Sequence, residues 1–248
     1  MDFGAFVLLL VAGVIGGVVN ALAGGATLIT FPAMMMAGLS PVVANASNSV
    51  AISPGHFLAA IADRGKLFQV QLGRRCCLAA IGGAGGAAIL LVLPERLFTL
   101  PVPALIGFAT LLFGCAPRLQ RATLRPRAKH SIWEDAILLA VSVYGGFFGA
   151  GLGIMLTAIV SLGQNDDIRL IKAVKNLLAT AVSVPAIVIF GLKGGVAWTP
   201  TAVMLVGAIV GGYAGGHLIR ILPAGLVRRA VIVAGTGMTV IYGVRYWA

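Results

Sequence analysis

The sequence predicts an all-α polytopic membrane protein with two inverted-topology repeats of about five helical segments each, including short broken or re-entrant helices. Three observations lead to this prediction. The 248-residue chain is 59% hydrophobic and 10% charged, whereas a soluble domain is about 25% charged. Its apolar runs approach the ~20 residues that cross a bilayer as a helix. Its two halves also repeat one pattern of residues. These features exclude a soluble enzyme and a secreted disulfide scaffold.

Ten apolar segments follow one another along the chain. They occupy about residues 3–23, 26–38, 41–62, 73–93, 101–116, 132–151, 152–163, 169–191, 198–220 and 227–247. Most are long enough to cross a bilayer at ~1.5 Å per residue, but 26–38 and 152–163 are too short. Each of these two follows a glycine cluster, which predicts half of a broken or re-entrant helix. Such backbone is tolerated at membrane depth where protein or a water-filled cavity covers it.

The charges predict the orientation of the segments and three divisions of the chain. The net charge is +11, from 18 basic and 7 acidic residues. If the ten segments alternate in direction, most basic residues fall on one side, which the positive-inside rule places in the cytoplasm. This rule accounts for the charge without a nucleic-acid partner, and none is expected. The predicted divisions are an N-terminal transmembrane repeat (1–116), a basic cytoplasmic linker (117–131) and a C-terminal transmembrane repeat (132–248).

The two halves correspond at an offset of about 129 residues. The matched positions keep their order along the chain, with one residue of slippage, which is hard to obtain by chance. They are Gly16-Gly17 with Gly145-Gly146, Gly24 with Gly153, Asn48 with Asn176, Gly82-Gly83 with Gly211-Gly212, and Leu93-Pro94 with Leu222-Pro223.

The number of segments in each repeat is odd, so the second copy is expected to enter the membrane from the opposite side. Inverted repeats are typical of secondary transporters, whose substrate site lies near the midplane where interrupted helices of the two halves meet. A duplicated membrane scaffold without transport activity is the alternative. Transport is the stronger functional interpretation of the residues.

Polar side chains inside the apolar segments are the candidate substrate-binding residues. An amide is costly in hydrocarbon without a partner, and an intramembrane lysine usually faces a cavity or a partner. No acidic residue lies at a matching depth, so the lysine favours an anionic substrate. The alternatives are that the amides and hydroxyls tie helices together and that the lysine extends to the headgroups. The candidates are Asn45, Ser47, Asn48, Ser49, Lys175, Asn176 and Thr180.

Two further groups of residues complete the candidate site. Glycine-interrupted helices expose backbone N–H groups whose dipole favours an anion, and Gly24, Gly25, Gly151 and Gly153 are the expected helix-break residues. His56 lies two turns beyond Asn48 and is a candidate for proton coupling; a packing histidine is the alternative. The sequence has no Walker lysine motif, no paired catalytic carboxylates and no metal-ligand cluster. We therefore expect no enzyme activity, no cofactor and no metal.

The chain resembles the TauE/SafE sulfite exporter family, also called the TSUP or anion permease family. The first half carries the resemblance in Gly16-Gly17 through Gly24-Gly25, the short helix near Pro32 and the polar stretch Ala44–Ala51. The second half carries it in the run 145–153 and in 173–179. The chain departs from the family in reading Ala44-Asn45-Ala46-Ser47-Asn48, where an Ala-x-Gly-Thr-Ser pattern is common, and in having Ala26 where a further glycine is common.

The resemblance implies export of sulfite or a related organosulfur anion across a bacterial cytoplasmic (inner) membrane. With the repeats, it predicts a secondary transporter that works by alternating access, in which the two repeats rock about the site. The alternatives are an anion channel and a membrane component that passes a sulfur compound to a soluble partner through the basic linker. The expected partners are the small anion and the lipid bilayer, and a homodimer stays open.

Overall fold

The structure, a computed structural model, describes residues 1–62, 72–123, 132–161, 168–218 and 224–247. Within these ranges the regular secondary structure is helical, and no strand occurs. Five of the described helices are long and apolar enough to cross a membrane. Large apolar side chains such as Phe3, Val92 and Leu192 face outward, as expected where lipid is the solvent. The prediction of an all-α polytopic membrane protein is confirmed.

Twelve helices make up the described part of the chain. They are α1 (Phe3–Ala23), α2 (Thr27–Met36), α3 (Pro41–Ile52), α4 (Pro54–Ala62), α5 (Gly73–Val92), α6 (Glu95–Thr99), α7 (Val102–Thr123), α8 (Ile132–Phe147), α9 (Leu152–Ser161), α10 (Ile168–Leu192), α11 (Trp198–Leu218) and α12 (Ala224–Trp247).

Glycines in the left-handed backbone region separate a long helix from a short one in each half. Gly24 ends α1 with a φ of 74°, and the short α2 follows. Gly149 and Gly151, with φ of 77° and 82°, separate α8 from the short α9. A side chain with a Cβ rarely adopts these angles. The two segments predicted to be too short to span therefore occur as short helices behind glycine breaks.

The third segment differs from the expectation. The predicted 41–62 segment is two helices, because Pro54 has no N–H to continue the ladder of α3. The Ser53 hydroxyl donates to Ser49 O at 2.5 Å at this point. The equivalent α10 stays continuous through its own Pro185. In addition, α7 continues to Thr123, into the predicted linker, whose remaining residues 124–131 lie outside the described part.

The first helix of each half packs along the fourth main helix of the other half. For α1 and α11 the contact is between backbones. A Cβ on Gly17 would lie 2.6 Å from Gly212 N, and one on Gly215 would lie 2.9 Å from Val18 Cα. Gly13 lies earlier on α1 and faces Ala208. Residue numbers rise together on the two helices, so they run in the same direction.

The pair formed by α5 and α8 repeats this arrangement. A Cβ on Gly82 would lie 2.6 Å from Ser142 Cβ, and one on Gly86 would lie 2.6 Å from Phe147 N. The two helices are therefore also parallel. Small residues permit such close approach of helices in a membrane. Gly82 and Gly86 on α5, like Gly211 and Gly215 on α11, therefore lie on packing faces.

The last long helix of each half pairs with its counterpart in the opposite direction. The Trp247 indole donates to Leu100 O at 2.8 Å, and a Cβ on Gly107 would lie 3.2 Å from Thr239 Cγ2. Residue numbers rise along α7 as they fall along α12. These two equivalent helices are antiparallel.

One arginine joins α12 to the part of α7 that lies just before Pro117. Pro117 has no N–H, so Phe113 O, four residues earlier, loses its helical partner. The Arg228 side chain replaces that partner: Nε donates to Phe113 O at 3.2 Å, and Nη2 donates to Gly114 O. The interaction satisfies the carbonyl that the proline leaves open.

Arg228→Ala is expected to lower the melting temperature in detergent. Leaving a buried carbonyl unpaired costs about 1–3 kcal/mol. Arg229→Ala is the matched control, because Arg229 is the exposed neighbour on the same helix. Equal melting temperatures for the two variants would contradict the assigned role of Arg228.

The buried apolar side chains form two separate clusters. The larger one draws on helices of both halves, from Leu9 in α1 to Tyr242 in α12. The smaller one contains Ala79 of α5 together with Leu138, Leu156 and Leu178 of α8, α9 and α10. A helix of the first half thus shares a core with the first three helices of the second half.

Candidate functional site

Helix α3 carries the polar stretch of the first half, and most of its polar side chains are buried. Ser40 is the N-cap residue and Pro41 occupies the first turn, although the Ser40 hydroxyl makes no capping bond. Asn45 and Ser47 are fully buried, and Asn48 is 1% exposed. Because polar groups are expensive to bury unpaired, each bond that they make is informative.

Two of these side chains cap helices of the second half. The Asn45 amide donates through Nδ2 to Phe147 O, the last carbonyl of α8, at 2.7 Å. The Ser47 hydroxyl accepts from Ala197 N, just before α11, at 3.0 Å. Helix termini have backbone groups without partners, and α3 supplies partners to two of them. Ser47 and one edge of Asn45 therefore tie helices together.

The hydroxyls of Ser49 and Thr180 bond within their own helices. Ser49 donates to Asn45 O at 3.0 Å, and Thr180 donates to Asn176 O at 2.8 Å. Bonding of a hydroxyl to the carbonyl four residues earlier is its usual arrangement inside a helix. Each of these hydroxyls keeps its oxygen as a further acceptor.

Two amide oxygens in α3 have no partner within the described part of the chain. Asn45 Oδ1 and Asn48 Oδ1 are buried and accept no hydrogen bond. The Asn45 amide cannot be turned round, because its Nδ2 is bonded to a carbonyl. Buried unsatisfied polar atoms are rare in native proteins and call for an explanation such as a ligand or an ion.

Lys175 lies inside the membrane-spanning part of α10. It is seven residues after the start of the helix at Ile168, about 10 Å along the axis at 1.5 Å per residue. Its side chain is half-buried, whereas Lys172 one turn earlier is exposed. No acidic group in the described ranges forms an ion pair with it. The predicted loop acids Asp166 and Asp167 lie outside those ranges.

The helix breaks of the two halves meet beside Lys175. A Cβ on Gly153, in the first turn of α9, would lie 3.8 Å from Lys175 Cδ and 4.0 Å from Gly24 O. The Lys175 stem therefore crosses the start of α9, next to the carbonyl that ends the first helix of the other half. The structure brings Gly24, Gly153 and Lys175 together.

His56 and Asn176 complete this group. The His56 side chain on α4 lies near Asn176 and Lys175. Asn176 is 8% exposed. The sequence repeat relates Asn48 to Asn176 and predicts that the two amides face each other. Helices α3 and α10 do pack together, and His56 is a near neighbour of Asn176.

The remaining break glycines face aromatic and aliphatic side chains. A Cβ on Gly25 would lie 2.5 Å from Phe113 Cε2, and one on Gly151 would lie 3.5 Å from Leu112 Cδ1. The second break is also held by Tyr144, whose hydroxyl donates to Ala150 O at 2.8 Å. Sequence reasoning missed Phe113 and Tyr144. The only signal for Tyr144 was a hydroxyl in an apolar segment just before a glycine cluster.

Comparisons with known proteins point to one group of membrane proteins. Residues 9–242 match the model of a family described as sulfite exporter TauE/SafE. A probable membrane transporter protein of Haemophilus influenzae is 26% identical over 246 residues, covering 96% of this chain and 95% of the relative. The probable membrane transporter protein YfcA of Escherichia coli K12 is 29% identical over 231 residues, covering 91% and 84%. No solved structure gives a significant match.

Proposed function

The chain belongs to the TauE/SafE sulfite exporter family of membrane transporters, and from that premise we propose that it exports a small anion by alternating access. The proposed anion is sulfite, which the family description names, or a related organosulfur anion. The chain is a multi-pass membrane protein, which suits the inner membrane of a bacterium.

The observation that carries the proposal is the placement of Lys175. A cation without an acidic partner in the described structure is costly at membrane depth and is stabilised when a substrate supplies the negative charge. Lys175 is packed against the start of α9, beside the end of α1. The positive end of α9 adds to the attraction for an anion. We assign substrate binding to Lys175 and Asn176, with His56 opposite them.

The inverted relation of the two halves is part of the proposal, and two helix directions support it. Helices α7 and α12 are equivalent in the repeat and antiparallel in their contact. Two copies related by an axis along the membrane normal would place equivalent helices parallel. In an inverted repeat, the first segment of one half and the fourth segment of the other half point in the same direction. The parallel pairs α1–α11 and α5–α8 agree with this. The proposed site, between helix breaks of the two halves, agrees with the position at which such repeats usually bind substrate.

The moving bodies are proposed to mix the two halves. Backbone contact between glycines fixes α1 to α11 and α5 to α8, so neither pair can separate without losing its packing. Helix α3 packs on α11, and α10 packs on α5. One proposed body is therefore α1–α3 with α11, and the other is α8–α10 with α5. The smaller core lies within the second body, and the larger core crosses the boundary between the two. In this proposal the two bodies rock against each other, in place of the two sequence repeats.

The site lies at the boundary between these bodies. Lys175, Asn176 and Gly153 belong to the second body, and Gly24 ends the first helix of the first. Helix α4 carries His56 and lies against α10. A movement of one body against the other therefore changes access to Lys175. His56 is the proposed proton-coupling group, since its proton and the substrate charge would act on each other across this boundary.

Purified protein in liposomes is expected to move sulfite with saturable kinetics. An imposed pH gradient or membrane potential should drive accumulation above the equilibrium concentration, because a secondary transporter couples two fluxes. His56→Gln is expected to remove the effect of the pH gradient while the effect of the potential remains. Flux that neither saturates nor runs uphill would identify a channel and contradict alternating access.

A further inference from the structure

We propose that the site selects anions that also carry a hydrogen-bond donor, and that Asn45 and Asn48 accept the bonds from that donor. The ligand class is a monoanion bearing an O–H or N–H group, such as a protonated oxyanion or a hydroxyl-substituted sulfonate. This inference rests on the proposed function, since it describes the ligand of the same site. It adds a chemical requirement that negative charge alone does not impose.

The two amide oxygens require a hydrogen-bond donor. Asn45 Oδ1 and Asn48 Oδ1 are buried acceptors without a partner in the described structure. The bond from Asn45 Nδ2 to Phe147 O fixes which edge of that amide stays open. An open acceptor edge repels a fully deprotonated oxygen and needs a donor. A ligand that only accepts hydrogen bonds leaves this edge unsatisfied.

Asn45 and Lys175 lie at the same helix break. Asn45 holds Phe147, which lies immediately before the α8–α9 break at Gly149–Gly151. Lys175 packs against Gly153, immediately after that break. The open amide of α3 and the lysine of α10 thus flank one short stretch of backbone. Asn48 is three residues beyond Asn45, and positions three apart lie on the same face of a helix.

Lys175 and the two amides are proposed to bind different parts of one ligand. Lys175 balances one negative charge, and the amides bind the donor of the same ligand. A site that is built to bond a hydroxyl discriminates against the analogue without it, because its own buried groups are then left unpaired. The loss of one such bond costs about 1–3 kcal/mol, which is roughly a 5- to 150-fold difference in affinity.

The test compares two sulfonates that differ by one hydroxyl. 2-Hydroxyethanesulfonate and ethanesulfonate compete with labelled sulfite in proteoliposomes, at a pH where both are fully ionised. The hydroxyl compound is expected to inhibit at a concentration at least about tenfold lower. Equal potency, or no inhibition by either compound while sulfite is transported, would overturn the inference and leave the proposed transport function standing. If sulfite is not transported but the two compounds shift the melting temperature unequally, the failure lies in the proposed function.

A substitution at Asn48 tests whether this residue gives the preference for the hydroxyl compound. Asn48→Leu is expected to bring the potency of the hydroxyl compound down to that of ethanesulfonate. Ser53→Ala is the matched control, since it removes a hydroxyl that is bonded inside its own helix segment, and it should keep the preference. A preference that survives in Asn48→Leu would contradict the role of Asn48. The wild-type comparison does not depend on the folding of either variant.

Discussion

Lys175→Met is expected to raise the sulfite concentration for half-maximal transport by roughly 100-fold, or to reduce flux to the level of empty liposomes. Removing one partner of a buried charge pair typically costs 2–5 kcal/mol, and the bound anion is the only partner that we assign to this cation. Sulfite flux into proteoliposomes, measured over a range of concentrations, checks the prediction. Asn176→Ala should weaken transport less, because it removes a neutral contact.

Two controls separate binding from folding. Lys172→Met removes the same charge from the exposed face one turn earlier and should leave transport close to wild type. Lys175→Met should melt at the same temperature as wild type or higher, since the cation lacks an acidic partner in the described structure and is costly to desolvate. Unchanged transport in both Lys175→Met and Asn176→Ala would remove these residues from the binding site.

Gly86→Ala is expected to abolish the folded protein. The added Cβ would collide with the carbonyl of Val143 and lie 2.6 Å from Phe147 N, so α5 and α8 must separate along their contact. Overpacking commonly costs about 1–3 kcal/mol when side chains can adjust. Backbone atoms cannot rotate away, so we expect a larger loss here.

The neighbouring glycine provides the matched control for this change. A Cβ on Gly85 meets no atom within 4 Å, and alanine is a better helix former than glycine by about 1 kcal/mol. Gly85→Ala should therefore retain or raise the melting temperature. Size-exclusion profiles and melting curves in detergent compare the two variants. Similar behaviour of both would show that α5 and α8 are less tightly packed than described.

The fold class and the helix breaks were predictable because they depend on local composition. Apolar length predicts membrane helices, and the glycine clusters at Gly24 and Gly149–Gly151 predict where helices end. The division of the third segment at Pro54 was missed, although proline was its signal, because Pro32, Pro117 and Pro185 lie within helices. The packing of α1 and α5 against helices of the second half was not predictable, because a glycine face does not specify which helix packs against it.

Single residues of the candidate site were predictable, but their grouping was not. Lys175, Asn176 and His56 were selected because charged and polar groups in apolar segments are costly. Their proximity depends on α4 packing against α10, which no local pattern encodes. The capping roles of Asn45 and Ser47 were also beyond sequence reasoning, because their partners lie 102 and 150 residues away in the chain.

The pairing of α1 with α11 and of α5 with α8 has a consequence for biogenesis. The ribosome releases α1 and α5 before their partners have been synthesised, so their glycine faces first meet lipid or an insertion factor. A chain truncated after α7 would insert into the bilayer but lack both parallel pairs. The two parallel pairs are thus complete only when α11 reaches the membrane, late in translation.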